Sequence, residues 1–198
     1  MWQHTKWMKI NEIFYSLQGE GYHCGEASVF VRFSGCNLHC PFCDTHHESG
    51  VEMSEAEVVA AVKQYPARLV VVTGGEPALQ LTDSLIDALH SEGKYVAVET
   101  NGTLPLPENV DWITLSPKDA YVDSAEVVLA RADEIKIVYD GVHAPALYFP
   151  LSTRHFLQPM DTGDAARNAR ITTATVEYIK QHPQWHLSLQ QHKILNIK

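Results

Sequence analysis

Residues 69–77 read Leu69-Val70-Val71-Val72-Thr73-Gly74-Gly75-Glu76-Pro77. An apolar, mostly β-branched run ends in a threonine, two glycines, a carboxylate and a proline. A strand with one wet face alternates apolar and polar side chains. This one does not alternate, so the strand Leu69–Thr73 is predicted to be covered on both faces, as in a parallel sheet. A helical pattern follows over Leu81–Glu92, with Gly93 placed to stop it. A second apolar strand, Tyr95–Glu99, comes next. Together they make a β-α-β unit.

The same alternation extends in both directions. Further strands are expected at Ser28–Phe33, Trp112–Ser116, Glu134–Val138, His155–Leu157 and His186–Leu189. A helix over Ser54–Gln64 starts with Ser54 and Glu57 in capping-box spacing. A longer helix covers Asp164–Gln181 before Pro183, and a short one is predicted at Ser124–Ala130. A complete eightfold barrel needs ~250 residues. With 198 residues and few long helices, the expectation is one α/β domain over 1–198, a partial, open TIM-like barrel of about six core parallel strands.

Chemically capable residues recur where these strands end. They are Thr73–Pro77, then Glu99-Thr100-Asn101-Gly102, Ser116-Pro117-Lys118, Gln158-Pro159 and Gln190-Gln191-His192. Turns favour several of these residue types in any protein. Recurrence at five strand ends is the stronger observation, because parallel barrels carry their active sites on that face.

Composition narrows the function. The chain is 45% hydrophobic and 20% charged, ordinary for a globular protein. No apolar run approaches the ~20 residues that span a bilayer, so no membrane association is expected and the chain reads as cytoplasmic. Fifteen basic against 24 acidic residues give a formal charge of −9, which disfavours binding to nucleic-acid phosphates. An anionic small molecule remains compatible with that charge, since one local arginine suffices.

Three of the four cysteines fall in Ser34-Gly35-Cys36-Asn37-Leu38-His39-Cys40-Pro41-Phe42-Cys43-Asp44-Thr45, a C-x₃-C-x₂-C run. So few cysteines make a disulfide framework a poor reading. A zinc site remains open, with His39, His46 or His47 as fourth ligand. A 4Fe–4S cubane usually takes four cysteines, so three leave one iron free for a small molecule. The run resembles the signature of the radical S-adenosylmethionine (SAM) enzymes, including the aromatic Phe42 before the last cysteine. The fourth, Cys24, reads as a small buried hydrophobe.

The resemblance implies that the amino and carboxylate groups of SAM chelate the open iron of a cluster held by Cys36, Cys40 and Cys43. It places Phe42, Asp44, Gly75 and Glu76 near SAM, the Gly-Gly-Glu segment taking the ammonium group. Further SAM contacts implied are Glu99 and the run Ser116, Pro117 and Lys118. Gln158, Pro159, Met160 and Asp161 complete that set.

Ser16-Leu17-Gln18-Gly19-Glu20-Gly21, Arg32 on a strand, Cys43-Asp44-Thr45 and Leu187-Ser188-Leu189-Gln190-Gln191-His192-Lys193 narrow the match. Together, in this order, they resemble the 7-carboxy-7-deazaguanine synthase family. That implies 4Fe–4S, SAM and Mg²⁺ as cofactors, with Mg²⁺ on Thr45, and 6-carboxy-5,6,7,8-tetrahydropterin as substrate. It also implies a homodimer and a flavodoxin- or ferredoxin-like electron donor. The implied reaction starts with one-electron cleavage of SAM and hydrogen removal from C6, then contracts the ring and loses ammonia.

Residue chemistry suits such a substrate. Leu17, Gln18, Gly19 and Glu20 offer paired acceptors and donors to the ring edge, with Thr73 and His192 as further contacts. Arg32 matches the 6-carboxylate as a bidentate partner. The resemblance extends to a contact between Lys198 and the pterin edge. A glycyl-radical activase would share the cysteine spacing and Gly-Gly-Glu, but would not require Gln18–Gly21 or Gln191–Lys193. A non-catalytic metal-binding module would not require so many polar strand ends.

Overall fold

The computed structural model describes residues 7–146, 148 and 151–198. One nine-stranded sheet carries the fold. In chain order its strands are β1 (Trp7–Leu17), β2 (Ala27–Phe33), β3 (Val51–Ser54), β4 (Leu69–Gly74), β5 (Tyr95–Thr100), β6 (Trp112–Leu115), β7 (Glu134–Tyr139), β8 (His155–Pro159) and β9 (Trp185–Leu187). Their spatial order is β3-β1-β2-β4-β5-β6-β7-β8-β9. From β2 to β9 every neighbouring pair is parallel. β1 pairs antiparallel with both β2 and β3.

All seven expected strands are present, so the parallel set has seven members rather than about six. β1 and β3 add an antiparallel edge that the reading omitted. Among the described residues β9 pairs only with β8 and the strand order does not return to β3, so the barrel is open.

Helices α1 (Glu55–Val62), α2 (Asp83–Ser91), α3 (Ala165–Gln181) and α4 (Gln191–Leu195) connect or follow the strands. Ser54 and Glu57 form the capping box at α1, with the Ser54 amide donating to the Glu57 carboxylate at 2.7 Å. Thr82 caps α2 by accepting from the Leu85 amide at 3.1 Å, which starts that helix at Asp83 rather than Leu81. Asp164 caps α3.

Residues 124–130 form no helix. Their burial alternates instead: Ala125 is buried, Val127 and Leu129 half-buried, and the residues between them exposed. That period of two belongs to an extended segment, and the Val128 amide donates to the Gly102 carbonyl at 2.9 Å.

The two faces of the sheet differ. On the helix-covered face, Val31, Val72, Val98 and Ile137 pack with Val58 of α1 and Leu85, Ile86 and Leu89 of α2. Full burial of each leucine stabilises by about 1.5–3 kcal/mol. The concave face has a smaller apolar layer of Phe30, Leu69, Val71, Ala97 and Trp112. Next along the same face of these strands come Arg32, Thr73, Glu99 and Thr114, and on β7 Glu134 and Lys136. The sheet curls enough for its ends to meet. The Gly21 amide donates to Ser188 Oγ at 3.0 Å, and the Gln191 amide to the Gly19 carbonyl at 3.1 Å. Residues 18–22 therefore cross the open interior, and Gln18, Gly19 and Glu20 line a cleft.

Candidate active site

The cysteine loop leaves β2 and is fastened at its root. The Gly35 amide donates to the His47 carbonyl at 2.7 Å, and Gln80 Nε2 to the Ser34 carbonyl at 2.6 Å. Asn101 Nδ2 donates to Asn37 Oδ1 at 3.0 Å, tying the loop to the end of β5. All four cysteines are free thiols. Burial pushes the Cys36 and Cys40 thiols above their ordinary pKa. A ligating metal replaces those protons, since the thiolate is the ligand.

Gly74 and Gly75 explain how this loop meets the sheet. A side chain on Gly75 would collide with the Gly35 carbonyl and sit 3.0 Å from Cys36 Cβ. One on Gly74, whose φ is +137°, would collide with the Phe33 backbone. The two glycines thus let backbone approach backbone beneath the first cysteine. Glu76 is fully buried and lies outside the cleft. Its carboxylate accepts from the Ala78 amide, Thr100 Oγ1 and the Asn101 amide at 2.8–3.0 Å. Burial raises its pKa. Glu76 thus anchors the end of β5 to the segment after β4, a positioning role that the SAM-contact expectation missed.

Above the apolar layer opens a cleft of about 700 Å³. Cys36, Cys40 and Cys43 line one side, and Gln18, Glu20 and Arg32 another. All the other expected site residues line it too, with the exception of Glu76 and Pro117. Pro117 is buried behind Ser116 and Lys118. Lys118 folds back, donating to Ser116 Oγ at 2.7 Å and to the Ser116 carbonyl at 2.5 Å. Burial lowers its pKa. Phe42 packs edge-on against Tyr121, ring centroids 4.8 Å apart.

Four of the expected polar residues form one network. Gln18 Nε2 donates to Glu99 Oε1 at 3.1 Å, and Thr73 Oγ1 to Glu99 Oε2 at 3.3 Å. Lys136 Nζ donates to Glu20 Oε2 and, at 3.3 Å, to Glu99 Oε1. Gln190 Nε2 reaches Glu20 Oε1 at 3.2 Å. Burial opposes the charge of Lys136, but the Glu20 and Glu99 carboxylates outweigh it and hold its pKa above the ordinary lysine value. The Glu20 pKa is correspondingly lowered, its desolvation overcome by Lys136.

Arg32 Nε donates to Glu12 Oε1 at 3.0 Å, so its terminal nitrogens stay available to a ligand carboxylate. Lys198 Nζ lies 2.5 Å from the other Glu12 oxygen, and the Lys198 carbonyl accepts from Ser16 Oγ at 2.6 Å. On α4, Lys193 Nζ bridges Asp44 at 2.9 Å and Asp161 at 2.7 Å. That ammonium holds the Asp161 carboxyl down at about 2. One lysine thereby ties the cysteine loop to the end of β8.

The residues from 30 to 123 match the Radical SAM superfamily model. The 7-carboxy-7-deazaguanine synthase of Bacteroides thetaiotaomicron is 52% identical over 191 residues, covering 96% of this chain and 98% of that relative. The chain belongs to the 7-carboxy-7-deazaguanine synthase family. The Bradyrhizobium diazoefficiens synthase is 43% identical over 96% of this chain and 98% of its own length. The crystal structure of QueE from Escherichia coli superimposes with a TM-score of 0.73 at 29% identity, covering 92% of this chain and 93% of that one.

As a member of the radical SAM superfamily, this synthase-family chain uses a 4Fe–4S cluster and SAM. The residues present fit both groups. Three soft thiol donors open into one cleft, with polar strand ends beside them. Among the described residues, no three or more His, Cys, Asp or Glu side chains converge on a single ion. A cubane needs no such convergence, because each thiolate takes a different iron.

Glu12 and Lys136 also line the synthase-family cleft, beyond the residues the sequence singled out, and Asn101, Gln190 and Lys193 line it from the motifs quoted above. The available signal for Lys136 was its place in Glu134-Ile135-Lys136-Ile137-Val138. In a strand of a sheet covered on both faces, a charged residue at every second position faces the barrel interior. Among the described residues no helix is long and apolar enough to cross a membrane.

Proposed function

We propose that this cleft converts 6-carboxy-5,6,7,8-tetrahydropterin to 7-carboxy-7-deazaguanine with loss of ammonia. The observation that carries the reading is the meeting of two residue sets in one cleft: the cysteine triad, and the carboxylate, amide and arginine group suited to a carboxylated pterin. When bound, the cluster and SAM supply reductive SAM cleavage and hydrogen-atom abstraction. The protein binds, orients and shields. Cys36, Cys40 and Cys43 hold the cluster. Phe42, Asp44, Gly75, Ser116, Lys118 and the 158–161 segment surround SAM. Glu20 and Gln18 take the guanidine-like edge of the ring, with Leu17, Gly19, Thr73, His192 and Lys198 around it. Glu99, tied to both Gln18 and Thr73, stands where SAM and substrate meet.

Arg32 takes the 6-carboxylate through the nitrogens that Glu12 leaves free. This is a charge-assisted pair, stronger than a neutral hydrogen bond. We assign Mg²⁺ to the Thr45 hydroxyl, with water and substrate oxygens supplying the remaining ligands, as Mg²⁺ usually arranges. We further infer a single domain, a homodimer and a flavodoxin- or ferredoxin-like electron donor.

The test is anaerobic turnover of the cluster-loaded protein with reductant, SAM and the pterin, read by mass spectrometry. The deazaguanine is expected from 6-carboxytetrahydropterin and not from tetrahydropterin lacking the carboxylate. Cleavage of SAM with the carboxylated pterin left unchanged would point instead to an activase. In the same assay Mg²⁺ should raise the wild-type rate. Thr45→Ala should blunt that response and keep the cluster spectrum. Superimposable Mg²⁺ titrations of the two proteins would refute the Thr45 assignment.

A further inference from the structure

Lys136 lines the cleft with a buried charge that the functional reading does not use. It stands on β7, its side chain is 6% exposed, and it points into the barrel rather than to solvent. Burying an ammonium is costly unless it is paired. Here it is paired twice, with Glu20 from the segment after β1 and Glu99 from β5. Those partners come from different elements and are 79 residues apart in sequence (99 − 20). Gln18 and Thr73 hang on Glu99, and Gln190 on Glu20. Lys136 is thus the cation common to both carboxylates of the ring-binding group.

We propose that Lys136 is the positioning residue of the substrate site, fixing Glu20 and Glu99 as hydrogen-bond acceptors so that the cleft selects a ligand edge presenting N–H donors. This rests on the pterin reading and deepens it. Glu20, with Lys136 on one oxygen and Gln190 on the other, keeps a lone pair on each for the amino and ring N–H groups of a guanidine-like edge, while Glu99, already accepting from Gln18, Thr73 and Lys136, keeps one. A protonated carboxyl would offer a donor of its own there and lose that match. Without the ammonium, burial is left as the main influence on Glu20 and favours its neutral form. Other charged groups face the pair as well. Glu134 acts on Lys136 from its own strand, Lys118 lies beyond β6, and His192 acts on Glu20 from α4. Of these, Lys118 and His192 do not reach Glu20 or Glu99 in any hydrogen bond among the described residues.

The experiment is calorimetry of 6-carboxytetrahydropterin binding to anaerobic holoenzyme with SAM, from about pH 6 to about pH 8.5, the range across which a raised carboxyl titrates. Lys136→Met should bind at least about tenfold more weakly near neutral pH, the loss expected when a charge-assisted bond becomes neutral. Its affinity should recover relative to wild type as pH rises and Glu20 ionises. Lys136→Arg should restore most of the affinity, and both variants should keep the cluster absorbance. Wild-type affinity in Lys136→Met, or a loss that does not change with pH, would overturn the proposal.

Should Lys136→Met fail to fold, infrared spectroscopy of the wild type decides. No protonated-carboxyl band assignable to Glu20 is expected near neutral pH. Such a band, lost in Glu20→Gln, would overturn the proposal. Wild-type protein that binds no pterin would instead count against the substrate reading, and the infrared result would still judge Lys136.

Discussion

Replacing any one of Cys36, Cys40 and Cys43 by alanine is expected to yield protein without the brown 4Fe–4S absorbance and without SAM cleavage. All three thiols line the cleft, and on the proposed assignment each would take a different iron of the cubane. Two thiolates leave two irons without protein ligands, and iron is then lost to solvent. Cys24 is the control. It does not line the cleft. Burial, reinforced by the nearby Glu20 charge, raises its pKa. Cys24→Ala should retain cluster, colour and turnover. Iron and sulfide analysis after anaerobic reconstitution reads the result directly. Loss of the cluster in Cys24→Ala would mean that the ligand set is four cysteines, and no iron would be open.

Gly75→Ala is expected to have nearly as large an effect without touching a ligand. The added methyl would run into the Gly35 carbonyl and approach Cys36 Cβ to 3.0 Å. Those neighbours are mainly backbone, held by the Glu76 amide on the Gly35 carbonyl at 2.9 Å and the Gly75 amide on the Phe33 carbonyl at 3.1 Å. They cannot swing aside as a flexible side chain would. Overpacking of this kind costs about 1–3 kcal/mol. Relief requires the cysteine loop to lift off the end of β4, which moves Cys36 relative to Cys40 and Cys43. Cluster content should fall at least about tenfold in reconstitution, since ~1.4 kcal/mol is tenfold in an equilibrium, while the helical circular dichroism stays close to wild type. A full complement of iron in Gly75→Ala would show that the loop tolerates displacement.

The parallel strands were legible because burial on both faces leaves an unmistakable apolar run, as in Leu69–Val72. β1 was not, because its alternation breaks where the register shifts between Ile10 and Glu12. Trp7–Ile10 and Ile13–Leu17 thus fail to read as one strand. β3 has four residues and α4 five, too short for a period to emerge. The false helix at 124–130 arose from good helix formers, Ala125, Glu126, Leu129 and Ala130, in a run whose burial in fact alternates residue by residue.

In the site, local motifs carried the cysteines, Gly74–Gly75 and Gln18–Glu20. Long-range pairings were invisible. Glu12 beneath Arg32, Lys193 across Asp44 and Asp161, and Lys136 between Glu20 and Glu99 exist only after the sheet curls. Glu76 shows the opposite failure. Its motif pointed to a SAM contact, but its carboxylate accepts from three donors and does not line the cleft.

Whether SAM reaches an iron left open by Cys36, Cys40 and Cys43 is measured most directly by electron–nuclear double resonance. The reduced holoenzyme is mixed with SAM labelled with ¹⁵N at the amino group and ¹⁷O at the carboxylate. Strong hyperfine coupling of both labels to the cluster is the predicted result, retained in Cys24→Ala. A reduced cluster that binds SAM in the cleft yet shows no coupling to either label would contradict it.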